Sequence, residues 1–128
     1  MKQLKFVDPM IGIFILRVVS GSFMLTHGYM KLNMLLSDQP VQFLDFLGLG
    51  ATFSLALATF AEFLCALLVV LGIKTRLAVL PLIFTMLVAA FIAHGADPFA
   101  KKEMALLYLT IYTALFFTGG GKLSLVKD

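Results

Sequence analysis

The sequence predicts an all-α protein, a bundle of four transmembrane helices. Three observations carry that expectation: an apolar content above that of water-soluble domains, four apolar stretches of about membrane-spanning length, and ionisable residues grouped on the small-residue faces of those stretches. Hydrophobic residues make up 61% of the 128, with a mean hydropathy of +1.02, against roughly 45–50% apolar residues in a soluble domain. Lipid must therefore surround much of the chain.

A span at about 1.5 Å rise per residue needs about 17–25 residues. The first apolar stretch, residues 10–30, follows Lys2 and Lys5 as a signal peptide would, but Arg17 interrupts it and no small-residue cleavage site follows, so it is expected to remain in the mature protein. In the loop after it, Asp38-Gln39-Pro40 precedes Val41, Phe43, Leu44, Phe46 and Leu47. That pattern predicts a short capped helix ending at Gly48, lying in the interface over the bundle mouth. The second and third spans are residues 53–72 and 77–94. The apolar run of the fourth begins late, at Met104, and Asp97-Pro98 extends it, because Asp97 can cap a helix whose first turn takes Pro98; the span becomes 98–118. Residues 1–128 then form one domain, with no room for a soluble catalytic or nucleotide-binding fold.

Basic residues set the orientation. Lys2, Lys5, Lys74, Arg76, Lys122 and Lys127 fall on one side of the four spans, and Lys31, Lys101 and Lys102 on the other. The bias predicts cytoplasmic N and C termini. The net charge of +3 comes from these flanks and does not suggest nucleic acid. Cys65 is the only cysteine, which excludes an intramolecular disulfide and any dithiol reaction within one chain.

A charge at membrane depth costs about 2.5–3.5 kcal/mol on insertion scales, so Arg17, Glu62 and Glu103 need a reason. At about 100° per residue, Arg17, Ser20, Gly21, Met24, His27, Gly28 and Lys31 share one side of the first helix. Glu62 shares its side of the second with Ala58, Thr59, Cys65, Ala66 and Val69. On the fourth, Glu103 shares a stripe with Thr110, Thr113 and Ala114, opposite Tyr108, Tyr112 and Leu115. All three stripes are expected to face inward, where small residues permit close packing. Arg17 lies about seven residues, roughly 10 Å, from the cytoplasmic end of its helix, and an Arg17–Glu62 ion pair is expected at mid-depth. His27 ends the first helix and His94 the third, so His27, Lys31, His94 and Glu103, with Asp97 nearby, are expected to cluster near the outer mouth. A histidine or lysine donor beside a carboxylate relay serves a quinone carbonyl that takes up electrons and protons. The competing reading makes these side chains interfacial anchors and the ion pair a helix lock. Haem ligation by the two histidines ranks below quinone chemistry, since it needs a matched level and facing geometry, and no metal site is read.

The run Arg17-x3-Gly21-x-Phe23-x3-His27-Gly28-x2-Lys31-Leu32 resembles the DoxX family of small four-helix membrane proteins. The resemblance continues through Glu62, through Leu71-Gly72-Ile73-Lys74-Thr75-Arg76, through Glu103, and through Gly119-Gly120-Gly121-Lys122-Leu123-Ser124-Leu125. Two departures stand out: Lys101-Lys102 where the family often has glycines, and Val126 where it often has an aspartate. The resemblance implies quinone-linked redox systems, either as a membrane subunit of a thiosulfate:quinone or terminal quinol oxidase or as a scaffold recruiting thiol and superoxide-detoxifying enzymes.

The leading expectation is thus a membrane subunit coupling a partner redox enzyme to the quinone pool. A non-catalytic scaffold or assembly factor is the alternative. A small-solute carrier ranks last, because four short helices show no internal repeat. No bound cofactor is legible, which implies a protein partner, and the polar small-residue faces would suit a homo-oligomer as well as a monomeric bundle.

Overall fold

The computed structural model describes residues 7–128; Lys2 and Lys5 lie outside the described residues. Four long helices account for most of it: α1 (Pro9–Leu36), α2 (Ala51–Leu71), α3 (Thr75–Ala93) and α4 (Phe99–Thr118). Among the described residues there is no strand, only a single parallel β-bridge between Ile73 and Val126. Three helices, α1 to α3, are long and apolar enough to cross a membrane. α4 matches them in length, but Lys101, Lys102 and Glu103 crowd its first turns.

Each helix starts and stops for a local reason. Asp8 caps α1, its Oδ1 accepting from the Met10 amide at 2.9 Å, with Pro9 in the first turn where no amide donor is missed. α1 then runs six residues past the expected end at Met30, so Lys31 is helical rather than flanking. Gly72 (φ 71°) closes α2 in the left-handed conformation that glycine adopts without strain. Two segments are underwound into π-helix, Phe60–Cys65 within α2 and Ala89–Ala93 at the end of α3.

Two expectations about the loops fail. The helix expected after Pro40 is absent: residues 40–45 carry no regular secondary structure and only one 3₁₀ turn, Phe46–Gly48, forms, with Leu47 at φ 53°. The Asp45 carboxylate bonds forward to the Gly50 amide (2.7 Å) and the Ser54 hydroxyl accepts from the Phe46 amide (2.9 Å), so side chains satisfy the backbone locally and the helix has no advantage. Asp97 does not cap α4. Its Oδ2 lies 2.8 Å from His94 Nδ1 instead, and α4 begins at Phe99 without a side-chain cap.

The faces of α1 and α2 follow the expected stripes. Arg17, Ser20, Gly21, Met24 and Gly28 are buried on α1, and Ala58, Thr59, Glu62, Cys65, Ala66 and Val69 on α2. The large apolar residues Phe23, Phe53, Phe60, Phe84, Phe91 and Phe117 point outward. An exposed apolar belt of this extent is at home in hydrocarbon and not in water. α4 is turned the other way from expectation: Tyr108, Tyr112 and Leu115 are buried, while Glu103, Thr110 and Ala114 are exposed. Two tyrosine rings bring more apolar area into the core than two threonines do. The Tyr112 hydroxyl finds a partner there, donating to the Ser20 carbonyl at 3.3 Å.

Residues after α4 fold back over the α2–α3 turn. The Lys74 amide donates to the Val126 carbonyl (3.0 Å) and the Val126 amide to the Gly72 carbonyl (3.1 Å). Arg17, 1% exposed, holds this tail from inside the bundle. Its Nη1 donates to the Gly120 carbonyl at 2.6 Å and the Ser124 hydroxyl at 3.3 Å, and its Nη2 to the Leu123 carbonyl at 2.8 Å. Arg76 does the same from the surface, donating to the Phe116 and Phe117 carbonyls at the end of α4.

Replacing Arg17 by Met removes the donor of two inward-facing carbonyls, so the variant is expected to lose about 2–4 kcal/mol of stability. A lowered thermal midpoint in detergent, with faster tryptic cleavage after Lys122, is the expected result. Arg76→Ala, whose bonds are exposed, should move both readouts less.

Candidate functional site

The site begins with a close approach of backbones. α1 and α2 are antiparallel neighbours, and a Cβ placed on Gly28 would collide with the carbonyl group of Glu62 and the amide of Phe63. Only glycine lets α1 lie directly on the π-helical turn of α2. Within that turn the Ala66 amide reaches back to the Ala61 carbonyl, and the widened winding turns both Ala61 and Glu62 into the core. Such π-turns recur at functional sites because they re-aim side chains that an α-helix would fan out.

One turn beyond Gly28 on the same face, Lys31 donates from Nζ to Glu62 Oε1 at 2.7 Å. The carboxylate side chain is 5% exposed and the lysine 23%. This ion pair replaces the one expected from the sequence: Arg17 does not meet Glu62. The antiparallel register places Gly21 against Ala66 and Val70, and Arg17 against Gly72. Arg17 is therefore ten positions along α2 from Glu62, about 15 Å, and its donors are taken by the tail.

The pair forms a wall between two cavities. The larger, about 390 Å³, lies between α2 and α3 beneath the first loop and is mostly apolar; Phe46, Leu57, Phe60, Phe84 and Val88 line it. The smaller, about 170 Å³, lies between α1, α3 and α4 and is lined by His27, Lys101, Met24, Met86 and Tyr108. Lys31, Glu62, Ala89 and His94 border both.

His27, Lys31 and His94, which the sequence suggests as neighbours, thus do line one cavity. Glu103, the expected fourth member, is exposed on the outer face of α4 and borders neither cavity. Glu62 supplies the carboxylate that Glu103 was expected to supply. His27 is half-buried, its ring packed edge-on against Tyr108 at 6.0 Å, and Tyr108 stacks in turn on Tyr112 at 5.9 Å. His94 is held by Asp97 and stands at the open rim, both side chains nearly half exposed. Tyr108 and Lys101 are site residues that the sequence stripes did not single out, since inverting α4 hides the first and the anchoring role of a lysine masks the second. Among the described residues no group of histidine, cysteine and carboxylate side chains has the spacing to hold a metal ion.

An all-helical chain with three spans, an apolar outer belt and a buried ion pair defines the class: a multi-pass membrane protein with a polar interior. It belongs to the DoxX family, whose family model, described as DoxX, matches residues 12–95. The match covers α1 to α3 and so takes in both cavity-forming π-turns, while α4 and the tail lie beyond it. Comparison with curated proteins and with solved structures gives no match.

Replacing Lys31 by Met strands a buried carboxylate and is expected to cost about 3–5 kcal/mol, read as a fall in the thermal midpoint in detergent. Adding Glu62→Gln to that variant should restore most of the loss. A double variant no more stable than Lys31→Met alone would show that the pair is not what Lys31 contributes.

Proposed function

We propose that this chain is a single-domain, four-span subunit of a prokaryotic inner membrane that binds a quinone and couples a partner redox enzyme to the quinone pool. The observation that carries the reading is the larger cavity: a mostly apolar chamber of about 390 Å³ whose ionisable lining residues are Lys31, Glu62 and His94. A quinone has that polarity, an isoprenoid tail and a ring with two carbonyl acceptors. Phe46, Phe60 and Phe84 offer aromatic surface to the ring and tail. Lys31 Nζ and the His94 ring are the donors available to a carbonyl, and the Glu62 carboxyl is the adjacent proton acceptor. Electrons come from the partner enzyme.

The orientation follows from charge. Lys74, Arg76, Lys122 and Lys127 gather at the end where the tail folds back, and Lys31, Lys101 and Lys102 at the end with the cavities. That bias favours a cytoplasmic tail end and puts the cavities towards the outer leaflet. α4, about 30 Å long, packs along α3 and completes the fourth crossing with its charged first turns at the outer headgroups.

The test is equilibrium binding of a short-chain ubiquinone or menaquinone analogue to the purified protein in lipid nanodiscs. His94→Ala is expected to weaken binding about tenfold, the loss of one good hydrogen bond. Val88→Trp, which fills the chamber from its α3 wall, should abolish it, with circular dichroism confirming intact helices. Absence of binding by the wild-type protein, or binding indifferent to both changes, would leave the chain as a scaffold that recruits redox or detoxification enzymes.

A further inference from the structure

The ion pair has an unusual position for a helix lock, because it faces a cavity on each side. Glu62 is the single carboxylate lining either one. The titratable and charged groups that share its surroundings are Lys31 and His27 from α1, Cys65 on its own helix, Tyr108, Tyr112 and Lys101 from α4, and His94 from the end of α3; the first loop contributes only apolar side chains to the cavity lining. Among the described residues, Lys31 is the one that forms an ion pair with it. A carboxylate with a single cationic partner, polar space behind it and apolar space before it can change its protonation when that partner turns to another anion or dipole.

We propose that Glu62 is a proton-exchanging carboxyl, taking protons from water in the polar cavity beside His27 and delivering them into the apolar cavity, with Lys31 as the cation that leaves it when a ligand oxygen arrives. What the proton is used for rests on the quinone reading; the exchange itself does not. In that use, reduction of a quinone to quinol takes two electrons from the partner enzyme and two protons. At each proton step the O–H bond of Glu62 breaks, an O–H bond forms on one of the two quinone oxygens, a different one each time, and the carboxylate left behind is reprotonated from the polar cavity.

The experiment is labelling with dicyclohexylcarbodiimide, an apolar reagent that partitions into lipid and attacks protonated carboxyl groups. The carboxyl O–H adds across one N=C bond and the acyl group then migrates to nitrogen, with no leaving group, so the adduct is read by mass spectrometry of the peptide containing Glu62. The wild-type protein in nanodiscs should be labelled at Glu62 several-fold faster at mildly acid than at mildly alkaline pH. Lys31→Met should be labelled quickly at both, and a short-chain quinone should slow the wild-type reaction. Labelling with the stated pH dependence but no quinone protection would keep the proton exchange and sink the quinone site. A wild-type carboxyl that stays unlabelled while Lys31→Met reacts would make the ion pair permanent and overturn the proposal. No labelling of either protein would overturn it too, by showing that the cavity does not open to lipid.

Discussion

A carboxylate inside a bilayer is tolerated only where a cation and a shaped pocket compensate it, and here both depend on one helix contact. Gly28 lets α1 rest on the backbone of α2 at the turn that carries Glu62. The same contact fixes the axial register of the two helices, and through it the side chain one turn further on, Lys31, arrives within 2.7 Å of the carboxylate. The cavities are consequences of this geometry. Where the π-turns of α2 and α3 widen, small side chains such as Ala58, Ala61 and Ala89 leave volume that large ones would fill. A bundle of regular α-helices with the same stripes would bury Glu62 without giving it space on two sides.

Arg17 shows the opposite solution to the same problem. Its guanidinium is neutralised by no carboxylate; it spends its donors on backbone carbonyls and one hydroxyl of the tail. Arginine suits this role because its planar fork reaches several acceptors at once, and Gly72 leaves room for it, since a Cβ there would sit 2.9 Å from the guanidinium carbon. The bundle therefore has a sealed end, where charge organises backbone, and an open end, where charge borders empty volume. Chemistry that needs a ligand has a place at only one of them.

Much of this was legible in the sequence, and each failure has its own physical cause. Helical periodicity reports the azimuth of a side chain, and for α1 and α2 the buried faces follow the stripes, with His27 and Lys31 only partly buried and Leu55 and Ala61 buried besides. It does not report how far one helix has slid along another. Arg17 and Glu62 each point inward as expected, yet Gly21 and Gly28 set a register that keeps them about 15 Å apart. α4 fails differently, because both of its faces carry polar atoms. The rule that ionisable groups turn inward placed Glu103 in the core, whereas a residue near the start of a helix can extend toward the helix end and leave the interior to Tyr108 and Tyr112. The π-turns had no compositional signature at all, and the loop after Pro40 chose side-chain bonds over helix.

The distinction between a structural and a functional ion pair turns on what the pair would lose by opening. A pair enclosed by packed side chains has no alternative partner, so separation costs its full electrostatic energy. Lys31 retains partial exposure and borders both cavities, so an occupant offering a carbonyl oxygen could take over part of its hydrogen bonding as it turns from Glu62. The cost of opening is then shared between protein and ligand. In the proposed exchange, occupancy of the larger cavity would be coupled to the proton on Glu62, and the cavity on the far side of the pair is where that proton would be replaced.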